Sequence, residues 1–439
     1  MRAARQPARG AAAPPPVRRA ALDNGLIAIA RQNRAAKSIA IRLVLEAGAA
    51  FDPPGKEGTA ALAADLLDRG AGSLTAAEIA DYFDYLGVAC ECGARRDTLE
   101  IELRLLSQHL PGVLERLRVL VAEPTFPEEE LRREKGQVQT AIAERDQDTA
   151  AVAEIALAEA LFPAGHPYRS PRLGTRGSVE RIERGDLVAF HRARFGPGGA
   201  VLSLAGDLDP GRALDLVGRL FASWAGAPAA RVPAARAVIA DPPAPGREII
   251  VVRPIEGKTQ ADIGLGFPGL RRLSPDLPAA LVLNNILGEF ALGGRLGKAI
   301  RDRAGLAYHI SSRFTAGLGA GPLAVRAGVA PKGVKKAIDL MRKTIEEVRR
   351  RGVTAAEMED SKSALAASIP RRMETNPESA SVLADAEFYG QGIDYPERLP
   401  RLIREVTRAQ VGEAAARYLT LGRHVLVVAG PAIDKETLR

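Results

Sequence analysis

The sequence is poor in the residues that build metal sites, disulfide frameworks and stacking surfaces. Its 439 residues include five histidines, two cysteines and one tryptophan, and aromatic residues make up 4% of the chain. Cys90 and Cys92 are too few for a disulfide framework or a metal site of their own, so we expect two small apolar residues of a strand. The scarcity of aromatic residues argues against a stacking platform for single-stranded nucleic acid, and no nucleic-acid partner is expected.

Long apolar runs are also missing. No uninterrupted run approaches the roughly 18 residues that span a membrane, so no membrane span is expected. No signal peptide is visible, because the basic N-terminal stretch holds three prolines in residues 11–17 and no apolar segment of useful length. The net charge of +8 comes partly from arginines near the start of the chain. We interpret residues 1–20 as a flexible arm, and the compartment stays open.

The chain repeats one order of elements. In the first half we predict strands and helices at 38–46, 58–68, 75–87, 88–95, 98–105, 111–122, 127–161 (a long helix broken near 147–149), 184–195 and 199–205. In the second half the corresponding elements are at 260–266, 277–287, 294–304, 308–315, 321–330, 331–351, from 354 onward, 408–418 and 424–429. Matching landmarks lie about 225 residues apart, which indicates domain duplication rather than a solenoid.

The mixture of strands and helical hairpins predicts an α+β fold in which each lobe is a sheet with helices on one face. Residues 225–247 are rich in proline and alanine, and proline at that density favours an extended linker. We therefore predict an N-terminal lobe at 21–224, a linker at 225–247 and a C-terminal lobe at 248–439. Two such lobes could close on each other like a clamshell.

The segment Gly294-Arg-Leu-Gly-Lys-Ala-Ile-Arg301-Asp-Arg-Ala-Gly-Leu-Ala-Tyr308 resembles the substrate-gripping segment of pitrilysin/insulinase-family zinc peptidases, of which mitochondrial processing peptidase is one type. The resemblance implies two tandem lobes with mostly antiparallel sheets, and it implies that Arg301 and Tyr308 contact substrate. A guanidinium and a phenol are suitable donors to peptide carbonyls or to a developing oxyanion. The alternative is that Arg301 pairs with Asp302 or another surface acid and that Tyr308 is half-buried core.

Neighbouring features complete this second-half segment. His309, beside Tyr308, is a possible residue of the substrate cleft. The glycines at 288, 293, 294 and 297 are expected to form a flexible loop before the gripping helix. At the other end of the chain, residues 22–26 resemble the family's opening strand.

The zinc site of the resembled family is missing from the first half. There the family carries His-x-x-Glu-His on a helix, because residues i, i+3 and i+4 share one helical face and can hold the metal beside a general base. Here the two histidine positions fall on Ala61 and Asp65, the glutamate position on Ala64, and the distal glutamate position near Ala141. The resemblance therefore implies that this chain binds no zinc and is not catalytic on its own.

Together these features resemble the non-catalytic subunit of a two-chain bacterial peptidase. The implied partner is a chain of similar size that carries the zinc motif and binds the zinc. The two chains would form a heterodimer that degrades peptides or small unfolded proteins, in the bacterial periplasm or cytoplasm. The alternative is a scaffold or peptide-binding protein without catalysis, like the core subunits of respiratory complexes that share the fold.

Overall fold

The structure is a computed structural model that describes residues 17–226, 239–289 and 293–438. In the first lobe the elements are β1 Val17–Ala21, β2 Ile27–Gln32, β3 Ser38–Leu45, α1 Thr59–Asp65, β4 Gly70–Ala71, β5 Leu74–Thr75, α2 Ala76–Leu86, β6 Ala89–Ala94, β7 Leu99–Leu106, α3 Leu110–Ala122, α4 Glu128–Arg145, α5 Thr149–Leu161, α6 Arg176–Glu180, α7 Arg184–Arg194, β8 Val201–Gly206 and α8 Pro210–Phe221. The second lobe contains β9 Ile249–Pro254, β10 Ala261–Pro268, α9 Leu277–Asn284, α10 Gly294–Leu296, β11 Ala307–Phe314, β12 Pro322–Val329, α11 Val334–Arg351, α12 Ala355–Arg372, α13 Asn376–Phe388, α14 Tyr395–Glu405, α15 Arg408–Tyr418 and β13 Val425–Gly430.

The two main sheets confirm the predicted duplication. The first has the strand order β1-β2-β8-β3-β7-β6, and the second has β9-β13-β10-β12-β11 when it is read in the same direction. From β2 onward the orders correspond strand by strand. In both sheets the one parallel pair joins the lobe's early strand to its last strand, β2 with β8 and β9 with β13. The remaining pairs in these two sheets are antiparallel.

Each sheet packs its own lobe's helices against one face. Along β3, Ile39, Ile41 and Leu43 belong to the core formed with those helices, and Ala40 and Val44 point to the opposite face. Successive residues of a strand alternate between faces, so one strand can supply two separate cores. The α+β fold with two related lobes is therefore as the sequence indicated.

The second face of each sheet is covered by a helix from the other lobe, which the sequence analysis did not foresee. Helix α5 of the first lobe packs on β10 and β13, and helix α13 of the second lobe packs on β3 and β8. Gly266 explains the close fit of α5, since a Cβ at this position would come within 2.6 Å of the side chain of Leu157. A glycine in a central strand often marks such an approach.

Hydrogen bonds reinforce this exchange of helices. The Tyr168 hydroxyl donates to Asp97 Oδ1 at 2.6 Å and accepts from the backbone N–H of Gly319 at 2.8 Å. The backbone N–H of Leu318 donates to Asp97 Oδ2 at 2.8 Å. Burial raises the pKa of Asp97, and the Tyr168 hydrogen bond opposes that rise. This interlocking argues against the clamshell hypothesis for the two lobes of one chain, because a hinge motion would have to withdraw both helices.

The first strands correct two predictions at the N-terminal end. Residues 17–20, which we assigned to the arm, lie in β1, and the rest of the predicted arm lies outside the described residues. The segment 22–26, which we interpreted as a strand, is the turn between β1 and β2. Gly25 has φ 94° there, and Asn24-Gly25 is a sequence typical of tight hairpins.

Two further predictions depend on segments that are only partly described. The linker predicted at 225–247 includes residues 227–238, which lie outside the described part of the chain, so its boundaries stay a prediction. By length and composition alone, one helical stretch found among the described residues, Leu277–Arg303, could cross a membrane. However, 73% of its most apolar window is buried within the fold, as in a core helix, and it gives no clear membrane span.

Candidate functional site

Helix α1 carries three of the four positions where zinc residues were expected. It begins after Gly58, which has φ 103° and whose Cβ would come within 2.8 Å of the Leu173 carbonyl oxygen. Asp52 caps the helix, since its two carboxylate oxygens accept from the backbone N–H groups of Gly58 and Ala60, each at 2.7 Å. Burial raises the pKa of Asp52 to about 7, and these two hydrogen bonds oppose that rise.

The side chains at the expected zinc positions are three methyl groups and one carboxylate. Ala61 and Ala64 are 2% and 0% exposed, and Asp65 is half-buried at the end of the same helix. Ala141 lies on α4, which packs against α1. The scaffold therefore brings the two helices together as a zinc site would need, but the donors of such a site are not in the sequence.

Asp65 faces a second buried acid, Glu134 of α4, which the sequence analysis missed. The pKa of Asp65 is raised to about 6, first by burial and then by the negative charge of Glu134, while Arg172 and Arg69 act in the opposite direction. Glu134 is 6% exposed, and its Oε1 lies 3.4 Å from Arg69 Nε. Glu134 precedes Ala141 by about two helical turns, so both lie on the same face of α4. This spacing could have identified Glu134 from the sequence.

The residues present do not fit a zinc ion. Within residues 17–226, 239–289 and 293–438, no three His, Cys, Asp or Glu side chains come together in a group that could hold a metal ion. Two carboxylates beside two arginines form a charge cluster instead of the His₂Glu set that a catalytic zinc requires.

Arg301 and Tyr308 lie on either side of one tight turn. The segment predicted as a helix at 294–304 is α-helical only in α10, and it continues as a π-helix over Gly297–Arg303. Gly305, with φ 63°, then reverses the chain into β11. A π-helical stretch is rare and is frequent at functional sites.

The glycines near this turn serve close packing, so the predicted flexible loop is wrong for at least two of them. A Cβ at Gly288 would come within 2.5 Å of Ser312 Oγ on β11, and a Cβ at Gly294 would come within 2.4 Å of the Ile286 carbonyl oxygen. Both glycines hold helical segments against their neighbours. Residues 290–292 lie outside the described part of the chain.

Tyr308 is 93% exposed, which removes the half-buried alternative for its side chain. It is the extra residue of a β-bulge, since Ala307 pairs with Val329 and His309 pairs with Gly328. A bulge re-aims a side chain, and bulges often occur at edges and beside functional sites. Arg301, in contrast, pairs with its neighbour as the alternative supposed, because Nε and Nη2 each lie 2.9 Å from Asp302 Oδ1.

His309 contacts a buried acid that reaches across the lobes. Its Nε2 lies 3.7 Å from Asp262 Oδ1, and Asp262 is 4% exposed on β10. Asp262 Oδ2 also accepts from the Thr149 hydroxyl of α5 at 2.5 Å and from Gln260 Nε2 at 3.1 Å. The His309 side chain is therefore fixed on one side by a residue of the second sheet and remains half exposed on the other.

Comparison with family models gives two matches that together cover most of the chain. Residues 27–176 match the model described as insulinase (peptidase family M16). Residues 181–365 match the model described as the peptidase M16 inactive domain.

Individual relatives agree over nearly the full length. An uncharacterized zinc protease of Mycobacterium tuberculosis is 28% identical over 441 residues, which cover 99% of this chain and 97% of the relative. A non-peptidase homolog of Helicobacter pylori is 25% identical over 85% of this chain and 84% of its own length. The crystal structure of a peptidase M16 inactive domain from Pseudomonas fluorescens superposes with a TM-score of 0.87 at 27% identity, covering 95% of this chain and 99% of that one.

Proposed function

The chain belongs to the M16 (insulinase) family of peptidases, and we propose that it is the non-catalytic, substrate-gripping subunit of a two-chain zinc peptidase. One contrast carries the proposal. The helix face on which the family places its zinc residues holds buried alanines and Asp65, while Tyr308 projects into solvent from a bulge. Tyr308 lies on the edge strand β11, and bulges on edge strands often occur beside functional sites.

Arg301 and Tyr308 would act as hydrogen-bond donors to a bound peptide. The Tyr308 hydroxyl can donate to a backbone carbonyl, and its ring loses little conformational entropy on binding. Arg301 can exchange its contact with Asp302 for a carbonyl or an oxyanion, because an exposed ion pair of this kind stabilises by only about 0–1 kcal/mol. In this proposal the zinc site is on a partner chain of similar size, and this chain orients the peptide from the opposite wall.

The proposed substrates are peptides or small unfolded proteins, because a chamber enclosed by two chains excludes folded ones. The test is to purify this chain alone and together with an M16 chain of the same organism that carries His-x-x-Glu-His, for which the adjacent reading frame is the first candidate. We expect hydrolysis of an internally quenched peptide by the pair only, and zinc to copurify with the partner.

Arg301→Ala and Tyr308→Phe in the assembled pair should each lower kcat/KM by at least tenfold, because each removes a donor that the bound peptide uses. Arg350→Ala, at an exposed arginine of α11, is the matched control. Unchanged turnover in both site variants would defeat the assignment of these residues. Peptide hydrolysis with stoichiometric zinc by this chain alone would defeat the proposal itself.

The second candidate is a scaffold or peptide-binding protein without catalysis. The name of the Helicobacter pylori relative, a non-peptidase homolog, is the observation that favours it. Formation of a stable pair that hydrolyses no peptide, or the lack of a zinc-motif chain in the same genome, would support this candidate over the first.

A further inference from the structure

A cavity of about 660 Å³ opens beside the altered zinc position of the first lobe. Its walls are β6, the first part of α5, and the loop from Pro167 to Leu173. Arg172 of this loop faces Asp65 closely enough to affect the carboxyl's pKa. The volume falls within the ~300–1,000 Å³ that is typical of sites for small ligands or peptide side chains. Nothing in the proposed gripping role of Arg301 and Tyr308 uses this space.

The four carboxylates that line the cavity are all held in ion pairs. Each pairs with an arginine that lies outside the lining, and Glu100 also pairs with Arg95, which does line the cavity. The pairs are Glu91 with Arg104 at 2.7 Å, Glu100 with Arg42 at 2.8 Å, Glu102 also with Arg42, and Glu154 with Arg326 at 2.9 Å.

Three lining arginines have no carboxylate partner. Arg96, Arg169 and Arg172 form no ion pair within 4.0 Å of a carboxylate oxygen in the described part of the chain. Arg169 donates to the Phe162 carbonyl oxygen at 2.6 Å, and Arg172 donates weakly to the Ala94 carbonyl oxygen at 3.4 Å.

Arg96 carries the strongest signal of a missing ligand. Its guanidinium stacks over the Tyr168 ring, 4.8 Å from the centroid, and its buried Nη1 has no hydrogen-bond partner among the described residues. A buried donor without a partner costs about 1–3 kcal/mol, so the guanidinium would gain stability by turning Nη1 toward an acceptor in the cavity. Arginine is the side chain best matched to the two oxygens of a carboxylate.

We propose that this cavity binds a carboxylate of the peptide substrate, with Arg96 and Arg172 as its donors. This inference rests on the proposed function and deepens it, because it gives the substrate-binding chain a preference for acidic peptides. A peptide can supply the carboxylate from a Glu or Asp side chain or from its C-terminus. Arg301 and Tyr308 would recognise uncharged groups of the peptide, so they would not by themselves favour acidic peptides.

The test measures fluorescence anisotropy of four labelled decapeptides with the full-length chain. They share one Ala/Ser/Gly sequence and carry either two Glu or two Gln residues, each with a free or an amidated C-terminus. At 50 mM NaCl we expect at least one carboxylate-bearing peptide to bind about tenfold more tightly than the amidated Gln peptide. The preference should shrink at 300 mM NaCl, because salt screens the interaction. Comparison of the amidated Glu peptide with the free-acid Gln peptide tells whether a side-chain or a C-terminal carboxylate is bound.

Arg172→Gln is the primary variant, since Arg172 is exposed and its replacement disturbs little packing. Arg96→Gln is the second, with circular dichroism as a check of folding. Both should remove the preference, so that the carboxylate-bearing peptides bind no more tightly than the amidated Gln peptide. Arg350→Gln removes the same charge from exposed α11 and should keep the preference.

Equal affinity of the wild-type chain for all four peptides, or a preference that survives both arginine variants, would overturn the inference. Binding of no peptide would overturn it as well. None of these results depends on peptide hydrolysis by the assembled pair, and that hydrolysis tests the proposed function separately. Conversely, this chain could prefer carboxylate-bearing peptides while the assembled pair hydrolyses no peptide. That result would support the inference and contradict the proposed role in catalysis.

Discussion

Asp65→Asn should stabilise the protein at neutral and alkaline pH, although it alters a residue at a position where the resemblance predicts a zinc ligand. Asp65 is half-buried at the end of α1 and faces the buried carboxylate of Glu134. Burial and this like charge both disfavour the ionised form, and they raise the pKa of Asp65 from 3.8 to about 6. The folded chain therefore carries an unfavourable charge at pH 8 that the neutral amide of asparagine would remove.

The magnitude follows from the shift in pKa. About two pKa units correspond to about 3 kcal/mol, which is an upper bound because water reaches a half-buried side chain. Between about pH 4 and 6 the folded chain holds a proton on Asp65 that the unfolded chain has released. Stability from this group is therefore fully present below about pH 4 and lost as the pH rises through 6. Asp65→Asn should gain on the order of 1–3 kcal/mol at pH 8 and close to nothing at pH 4.

The assay is urea denaturation followed by the fluorescence of Trp224, the one tryptophan, which is 2% exposed in the first lobe. Asp81→Asn, at an exposed acid of α2, is the matched control and should shift the midpoint little at either pH. In a Glu134→Gln background Asp65→Asn should increase the free energy of unfolding by less, because the repulsion between the two carboxylates is already gone. Equal effects of Asp65→Asn at pH 4 and pH 8, or a loss of stability at pH 8, would refute the electrostatic reasoning.

Three further outcomes follow from contacts between and within the lobes. Tyr168→Phe should lower the free energy of unfolding by about 1–3 kcal/mol in urea titrations, since the buried Asp97 loses the nearer of its two hydroxyl donors. Arg42→Met should be more damaging, up to about 3–5 kcal/mol, because Arg42 is 5% exposed and its loss removes the ion partner of half-buried Glu102 and Asp385 and one of the two ion partners of buried Glu100; a shift below 1 kcal/mol would contradict this. Tyr308→Phe should change the free energy of unfolding by less than about 0.5 kcal/mol, because the side chain is 93% exposed, and a larger loss would mean that the residue is structural.

The sequence predicted the repeated order of elements because local signals repeat in it. The break between α4 and α5 lay where expected, since Asp148 caps α5 by accepting from the Ala151 N–H at 2.8 Å. The opening hairpin was not predicted, although Asn24-Gly25 gives a turn signal, because the family resemblance favoured a strand at 22–26. The exchange of α5 and α13 between lobes depends on long-range packing, and only Gly266 in a central strand hinted at it.

The site was predictable as far as residue types decide it. The resemblance predicts zinc positions at Ala61 and Ala64, and residue type alone decides that neither supplies a donor, because a methyl group cannot bind a metal. The accessibility of Tyr308 could not be predicted, since it depends on a bulge that appears only when β11 pairs with β12. The partner of Arg301 was named as an alternative, and a neighbour in sequence is the simplest partner to foresee. The acid facing Asp65 was missed because it required the packing of α4 on α1.

The exchange of helices restricts where a chamber around the substrate could open. Withdrawal of α5 and α13 would expose at least the side chains of Leu157, Leu161, Leu383 and Phe388, each no more than 3% exposed. Burial of a side chain of this size stabilises by about 1.5–3 kcal/mol, so opening between the lobes would cost on the order of 6–12 kcal/mol. That approaches the whole stability of a typical domain. If a peptide enters a closed chamber, the movement that admits it must therefore occur between this chain and its proposed partner, and not between the two lobes of this chain.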